Sequence, residues 1–184
     1  MKVCRVNRKA SGERAFLAAR DTAILLMLFD TGVRRSELAY LTVASVDLDN
    51  NLVDVIGKGN RPRRVPIGHK VAQALDRYLR VRAQHRLAHP EQEALWLGRS
   101  GPMSDSAVDL MLRRRADEAG LQTHAHLFRH TFAHNWLAEG GQETDLMMLM
   151  GWKSREMLGR YGRSAAAERA VKAHRRLSPA DRLK

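Results

Sequence analysis

Cysteine is nearly missing from this chain: Cys4 is the only one. No intramolecular disulfide can form, and such usage suits a reducing cytoplasm. Long apolar runs are missing too. None approaches the roughly 18 residues of a membrane-spanning helix, and the basic start Met1-Lys2-Val3-Cys4-Arg5 has no apolar stretch behind it to make a signal peptide. There is no internal repeat and no low-complexity linker. Acidic residues are in deficit, 20 against 32 Lys plus Arg, which leaves a formal net charge of +12. The excess is spread along the chain rather than gathered in a tail, so it describes a charged face on a folded domain. A polyanion is the partner it favours, nucleic acid ahead of an anionic membrane surface. Tyrosine is scarce as well, with only Tyr40, Tyr78 and Tyr161.

What is present is an ordinary globular composition. Of 184 residues, 44% are hydrophobic and 28% charged, enough for one domain with a real core. Residues 1–14 are basic and read as a flexible segment, 15–178 as a single domain and 179–184 as a tail. Residues 15–30 are rich in Ala, Leu, Ile and Met and read as a buried helix with Asp21 near a helix start; Thr31-Gly32 breaks it. A short helix from about Arg35 to Leu41 follows. Residues 45–48, 52–56 and 63–67 read as strands, with Gly57-Lys58-Gly59-Asn60 as a hairpin turn and Pro66 marking an edge. Val71, Leu75, Tyr78, Leu79 and Arg82 recur at helical spacing over 69–89, up to Pro90. Leu95-Trp96-Leu97 is a short buried stretch, and Ser104 is an N-cap for a helix through Ala119. Helices over 126–139, 143–150, 154–161 and 165–177 complete the chain. The fold class is therefore mainly α with a small antiparallel β-sheet of two or three strands.

Within this frame the chemistry concentrates in a few residues. His126 and Arg129 lie three apart at a helix start, so both project from one face. The free N–H groups and positive dipole end of the helix add to that seat for an anion. Arg34 and Lys58 contribute further positive charge. Tyr161, flanked by Gly159-Arg160 and Gly162-Arg163, stands in a flexible basic setting that suits a swinging nucleophile. Each residue has a plainer reading. Arg34 alone is a surface arginine, Lys58 a solvated hairpin tip with Lys70 and Lys153 as rivals, and Trp152 core. Tyr40 reads as core and Tyr78 as packing, as does the run Met147-Met148-Leu149-Met150. His126, His130 and His134 are spaced like a metal stripe, but the glutamate that a zinc protease needs after the first histidine is Leu127 here. His130 reads as a structural hydrogen-bonder and His124 as a loop residue.

Taken in order, Thr31-Gly32-Val33-Arg34-Arg35-Ser36-Glu37-Leu38, Ile56-Gly57-Lys58-Gly59-Asn60, His126-Leu127-Phe128-Arg129-His130, Leu149-Met150-Gly151-Trp152 and Tyr161 resemble the catalytic domain of tyrosine recombinases, the Xer-like phage integrase family. The resemblance runs from about residue 20 to 175. It implies a site-specific DNA recombinase in which Tyr161 attacks the scissile phosphate, leaving a 3′-phosphotyrosine and a free 5′-hydroxyl without metal or nucleotide cofactor. Arg34 and Arg129 would clamp the phosphate oxygens. His126 would assist proton transfer at Tyr161, and Lys58 would protonate the leaving 5′-oxygen. Trp152, where most relatives carry histidine, would donate an indole N–H, and Glu37 would orient a site group. The implied partners are double-stranded DNA and further copies of the chain, assembled as dimer or tetramer through residues 165–178. The implied location is the cytoplasm, on the nucleoid when DNA is bound. The N-terminal DNA-binding domain usual in the family is not expected here, which implies either a catalytic fragment or a short recombinase. Three alternatives stay open: a type IB topoisomerase-like enzyme, a DNA-binding regulator of the same fold, and a basic metal-dependent nuclease. The Arg-rich helices 69–89 and 104–119 are candidates for the DNA face.

Overall fold

The computed structural model describes residues 12–183 apart from Lys58, and gives the backbone alone for 160–165, 167–169 and 182. Seven helices and one sheet follow in the order α1 (Gly12–Thr31), α2 (Arg35–Ala39), β1 (Val46–Asp47), β2 (Leu52–Gly57), β3 (Arg61–Pro66), α3 (His69–Ala83), α4 (Asp105–Glu118), α5 (Ala125–Ala138), α6 (Glu143–Met150) and α7 (Glu156–Leu177). The sheet is antiparallel in the order β1-β2-β3, with Val53 opposite Val65 and Val55 opposite Arg63. Both prolines of β3 sit on its edge, where a missing N–H costs no ladder bond. Gly59 and Asn60 take positive φ in the hairpin turn, conformations that glycine and asparagine tolerate best.

Two hydrophobic clusters hold these elements. The larger draws Ile24, Met27 and Leu28 from α1, Leu38 from α2, Val53, Val55 and Val65 from the sheet, Leu75 and Tyr78 from α3, and Leu112 from α4. The smaller consists of Ala133, Leu137, Leu146, Met150, Trp152 and Leu158. Helix α5 belongs to both. Its first turn gives Ala125 and Phe128 to the large cluster, and its second half gives Ala133 and Leu137 to the small one. Gly32 takes positive φ immediately after α1, and a Cβ there would lie 2.9 Å from Phe132. Glycine thus both ends the helix and lets α5 approach.

Several expectations are corrected. Residues 12–14 are helical rather than loose, while 1–11 lie outside the described residues. Asp21 is not near a helix start: it lies in the middle of α1, fully buried. Helix α3 stops at Ala83, short of the expected 89, and Arg82 in its last turn donates to the carbonyls of Gln92, Ala94 and Leu95, which ties the following turns to the body. Tyr40 is 73% exposed and Met148 77%, so neither is core. Tyr40 lies just beyond the end of α2, whereas Leu38 and Ala39 face inward. The two helices expected over 154–161 and 165–177 are one continuous helix, α7, packed on α5. Among the described residues no helix is long and apolar enough to cross a membrane.

The strongest polar tie in the larger cluster is Asp21. Its Oδ1 accepts from Arg20 at 2.9 and 2.7 Å and its Oδ2 from Arg115 of α4 at 2.9 and 2.7 Å. Removing one charge of a buried ion pair leaves the other uncompensated and costs about 3–5 kcal/mol. Asp21→Asn should therefore lower the unfolding free energy by about 3 kcal/mol or more at neutral pH. Asp30→Asn, which weakens an exposed bond from the Gly68 N–H, should cost about 1 kcal/mol. Urea denaturation of the two variants against wild type checks the difference.

Candidate active site

Helix α2 begins at Arg34, and Glu37 in its first turn reaches back to it. The Arg34 N–H donates to Glu37 Oε2 at 2.9 Å, the reverse half of a capping box. The Arg34 guanidinium donates to Glu37 Oε1 at 2.8 Å while its side chain stays 37% exposed. The Glu37 carboxylate is buried and has a second cation. Arg63 of β3 donates to both its oxygens, at 2.9 and 2.8 Å. Burial alone would raise the Glu37 pKa. The hydrogen bonds from Arg63 and from the Arg34 N–H, with the positive charge of Arg63, outweigh it and bring the pKa down to about 2.

Arg129 stands on α5 at the seam between the two clusters. It is 4% exposed, and its Nη atoms donate to Gly32 O and Met150 O, each at 2.7 Å. Its Cζ lies 5.6 Å from the Trp152 ring centre, within cation–π range. Both peptide oxygens follow helix ends, Gly32 after α1 and Met150 at the last residue of α6. Such carbonyls lack intrahelical partners and lie at the negative end of the dipole, so a guanidinium suits them. Arg63 serves the same helix end, donating from Nε to Leu149 O at 2.9 Å. Gly151 then takes positive φ as the helix terminator, and its turn delivers Trp152 to the smaller core.

A cleft of about 260 Å³ opens between α2, α4 and the start of α5; Arg34, Arg35, Asp105, Asp109, His126 and Arg129 line it. His126 is exposed at its mouth, and the His130 ring meets it edge-on at 4.5 Å. Partial burial, then the charge of Arg129, then His124 push the His126 pKa below its usual value. Burial, followed by His126, does the same for His130. The shift favours the neutral imidazole, the form that can accept a proton.

The structure thus brings Arg34, Glu37, His126, Arg129 and Trp152 to one place. Lys58 lies outside the described residues. The base of its hairpin does reach the site, since a Cβ on Gly57 would sit 3.3 Å from Arg63 Nη1 and 3.4 Å from Glu37 Oε1. Tyr161 falls in the second turn of α7, which runs on past it where a helix ending at 161 in a flexible glycine-flanked setting was expected, and its side chain lies outside the described residues. Of the two Arg-rich helices, α3 and α4 each turn one arginine inward: Arg82 to loop carbonyls and Arg115 to Asp21. Sequence reasoning missed Arg63. The available signal was strand alternation, which puts Arg63 on the inward face with buried Val65.

Comparison with known proteins bears on the arrangement. The phage integrase family model matches residues 7–168. Tyrosine recombinase XerC of Pseudomonas aeruginosa is 38% identical over 141 residues, covering 76% of this chain and 46% of that one. XerC of Azotobacter vinelandii is 39% identical over the same length and shares. Among solved structures, XerA recombinase superposes with a TM-score of 0.75 at 28% identity, covering 92% of this chain and 65% of that one. XerH recombinase bound to a palindromic difH substrate, after cleavage, gives 0.71 at 19% identity, covering 94% and 49%, a likeness of fold alone. The chain spans about half the length of the curated relatives it matches.

The Glu37 geometry has a consequence for acid stability. Its pKa of about 2 lies below the ordinary 4.5, so the ionised carboxylate stabilises the fold above about pH 4.5. That contribution, on the order of 3 kcal/mol, is lost as pH falls through 2. Glu37→Gln should be less stable than wild type at neutral pH and show a flatter loss of stability between pH 4.5 and 2. Urea midpoints across a pH series measure both.

Proposed function

The chain belongs to the phage integrase family, and on that premise we propose that it is the catalytic domain of a site-specific DNA recombinase. The observation that carries the reading is the cleft shared by Arg34, His126 and Arg129, with Glu37 fixing the first and two helix-end carbonyls fixing the last. A phosphodiester is an anion that repels nucleophiles and gathers charge on its non-bridging oxygens as it is attacked. Two preorganised guanidiniums answer both difficulties. Their positions are set before substrate arrives, so little reorganisation remains for the reaction itself.

In the proposed reaction the Tyr161 phenol oxygen attacks the phosphorus and gives up its proton toward His126. The bond from phosphorus to the 5′-oxygen breaks, and Lys58 supplies the proton that the leaving oxygen takes. The product is a 3′-phosphotyrosine with a free 5′-hydroxyl. A 5′-hydroxyl of the partner strand then attacks that link and releases Tyr161, so the covalent bond conserves the energy needed for rejoining. Trp152 donates its indole N–H to a phosphate oxygen. Neither metal nor nucleotide enters these steps. The net charge of +12 supports binding of duplex DNA. The finer parts of the reading are assembly of copies on DNA through residues 165–178 and work in the cytoplasm, at the nucleoid.

Incubation with nicked suicide DNA in excess chelator should give a covalent protein–DNA adduct with wild type and none with Tyr161→Phe. Equal adduct from both would remove Tyr161 from the role of nucleophile. The pH profile tests His126. Its pKa lies below that of an ordinary histidine, so the acid limb of the cleavage profile should sit at a lower pH than an unshifted imidazole would give. His126→Gln should be slower throughout and lack that acid limb.

A further inference from the structure

We propose that Arg63 is a positioning residue for this reaction: one guanidinium neutralises Glu37, leaving Arg34 charged toward the cleft, and also caps the helix end that seats Arg129 and Trp152. The inference rests on the recombinase reading and deepens it. Arg63 comes from the hairpin strand, binds both Glu37 oxygens at 2.9 and 2.8 Å, and donates from Nε to Leu149 O at 2.9 Å. Its neighbour in that cap is Arg129, bonded to the next carbonyl, Met150 O. The side chain is only 14% exposed. It is wedged where a Cβ on Gly57 would lie 3.3 Å from its Nη1 and one on Gly151 3.5 Å from its Cζ. Three segments with site residues therefore meet on one side chain: the Lys58 hairpin, the Arg34 helix start and the Trp152 turn.

Charge accounting explains why an arginine is needed there. Glu37 has 3% side-chain exposure and stays ionised. With Arg34 as its single cation, the carboxylate would hold that guanidinium for itself and cancel the charge meant for a phosphate. With Arg63 paired to it, the trio of two arginines and one carboxylate carries a net positive charge, and the partly exposed member is Arg34. A lysine would not replace Arg63, because a point charge lacks the planar fork that reaches two carboxylate oxygens and a carbonyl at once. A hydrophobic residue of similar length would fill the space and leave Glu37 drawing on Arg34.

The experiment is single-turnover cleavage of nicked suicide DNA at saturating protein, for wild type, Arg63→Lys, Arg63→Met, Arg63→Ala and Tyr161→Phe. DNA affinity and melting temperature are measured on the same preparations. Arg63→Lys and Arg63→Met should cleave about 100-fold more slowly, the cost of an ångström-scale misplacement, with DNA affinity nearly unchanged. Added guanidinium ion should restore part of the Arg63→Ala rate and leave wild type and Tyr161→Phe unmoved. Cleavage by Arg63→Lys at the wild-type rate overturns the inference, even if the other variants fail to fold. A slowing explained wholly by weaker DNA binding, or a folded Arg63→Ala that guanidinium does not help, overturns it too. Absence of Tyr161-dependent adduct with wild type instead brings down the recombinase reading and this inference with it.

Discussion

The carbonyl end of α6 is the point on which the rest of the structure depends. Leu149 O and Met150 O have no helical partner further along the chain, and two arginines from distant segments bind them, Arg63 from the hairpin and Arg129 from α5. Each arginine then reaches the larger core with its remaining donors, Arg63 at Glu37 and Arg129 at Gly32 O. Burying guanidiniums is costly unless their donors are satisfied, and here three of the acceptors are backbone carbonyls and the other is the ionised Glu37 carboxylate. Charge, cap and tie between the cores are one set of contacts.

That economy makes the cleft rigid at Arg129 and looser at Arg34. Arg129 cannot rotate without breaking bonds to two helix ends, and its face lies over Trp152. Arg34 is held only on the Glu37 side and keeps a third of its side chain in solvent. The arrangement places a buried, immobile cation at the back of the cleft and a partly free one at its edge. Under the proposed function, the immobile cation would orient the phosphate and the partly free one would let it go.

Much of this was legible from residues alone, and the failures have physical reasons. The helix-strand-helix order and the grouping of Arg34, His126 and Arg129 followed from ordered motifs and from three-residue spacing at a helix start. Arg63 was hidden by its neighbours: alternation with Val65 separates it from Arg64, but Arg61 shares its face and its chemistry, and only the exposed position of Arg61 at the hairpin end tells the two apart. Gly162 read as the break between two helices, because a glycine costs about 1 kcal/mol in a helix; packing of α7 on α5 overrides that local preference. Asp21 looked like a helix-start acid. Its true role requires Arg115, 94 residues away, which no local pattern shows. Tyr40 looked like core because its apolar neighbours are core, yet it lies one residue past the last buried position of α2.

The sharing of α5 between two clusters sets an order of disassembly. The smaller cluster has only six buried members among the described residues, and α6 and the start of α7 supply half of them. Local opening is cheapest where few apolar contacts must be given up. Residues 143–177 can therefore detach as a unit while α1, the sheet, α3 and α4 keep their core, with α5 as the hinge. In amide hydrogen exchange the domain would show two tiers of protection. The segment carrying Trp152 and Tyr161 would belong to the lower tier, and the arginines that cap α6 would be its latch.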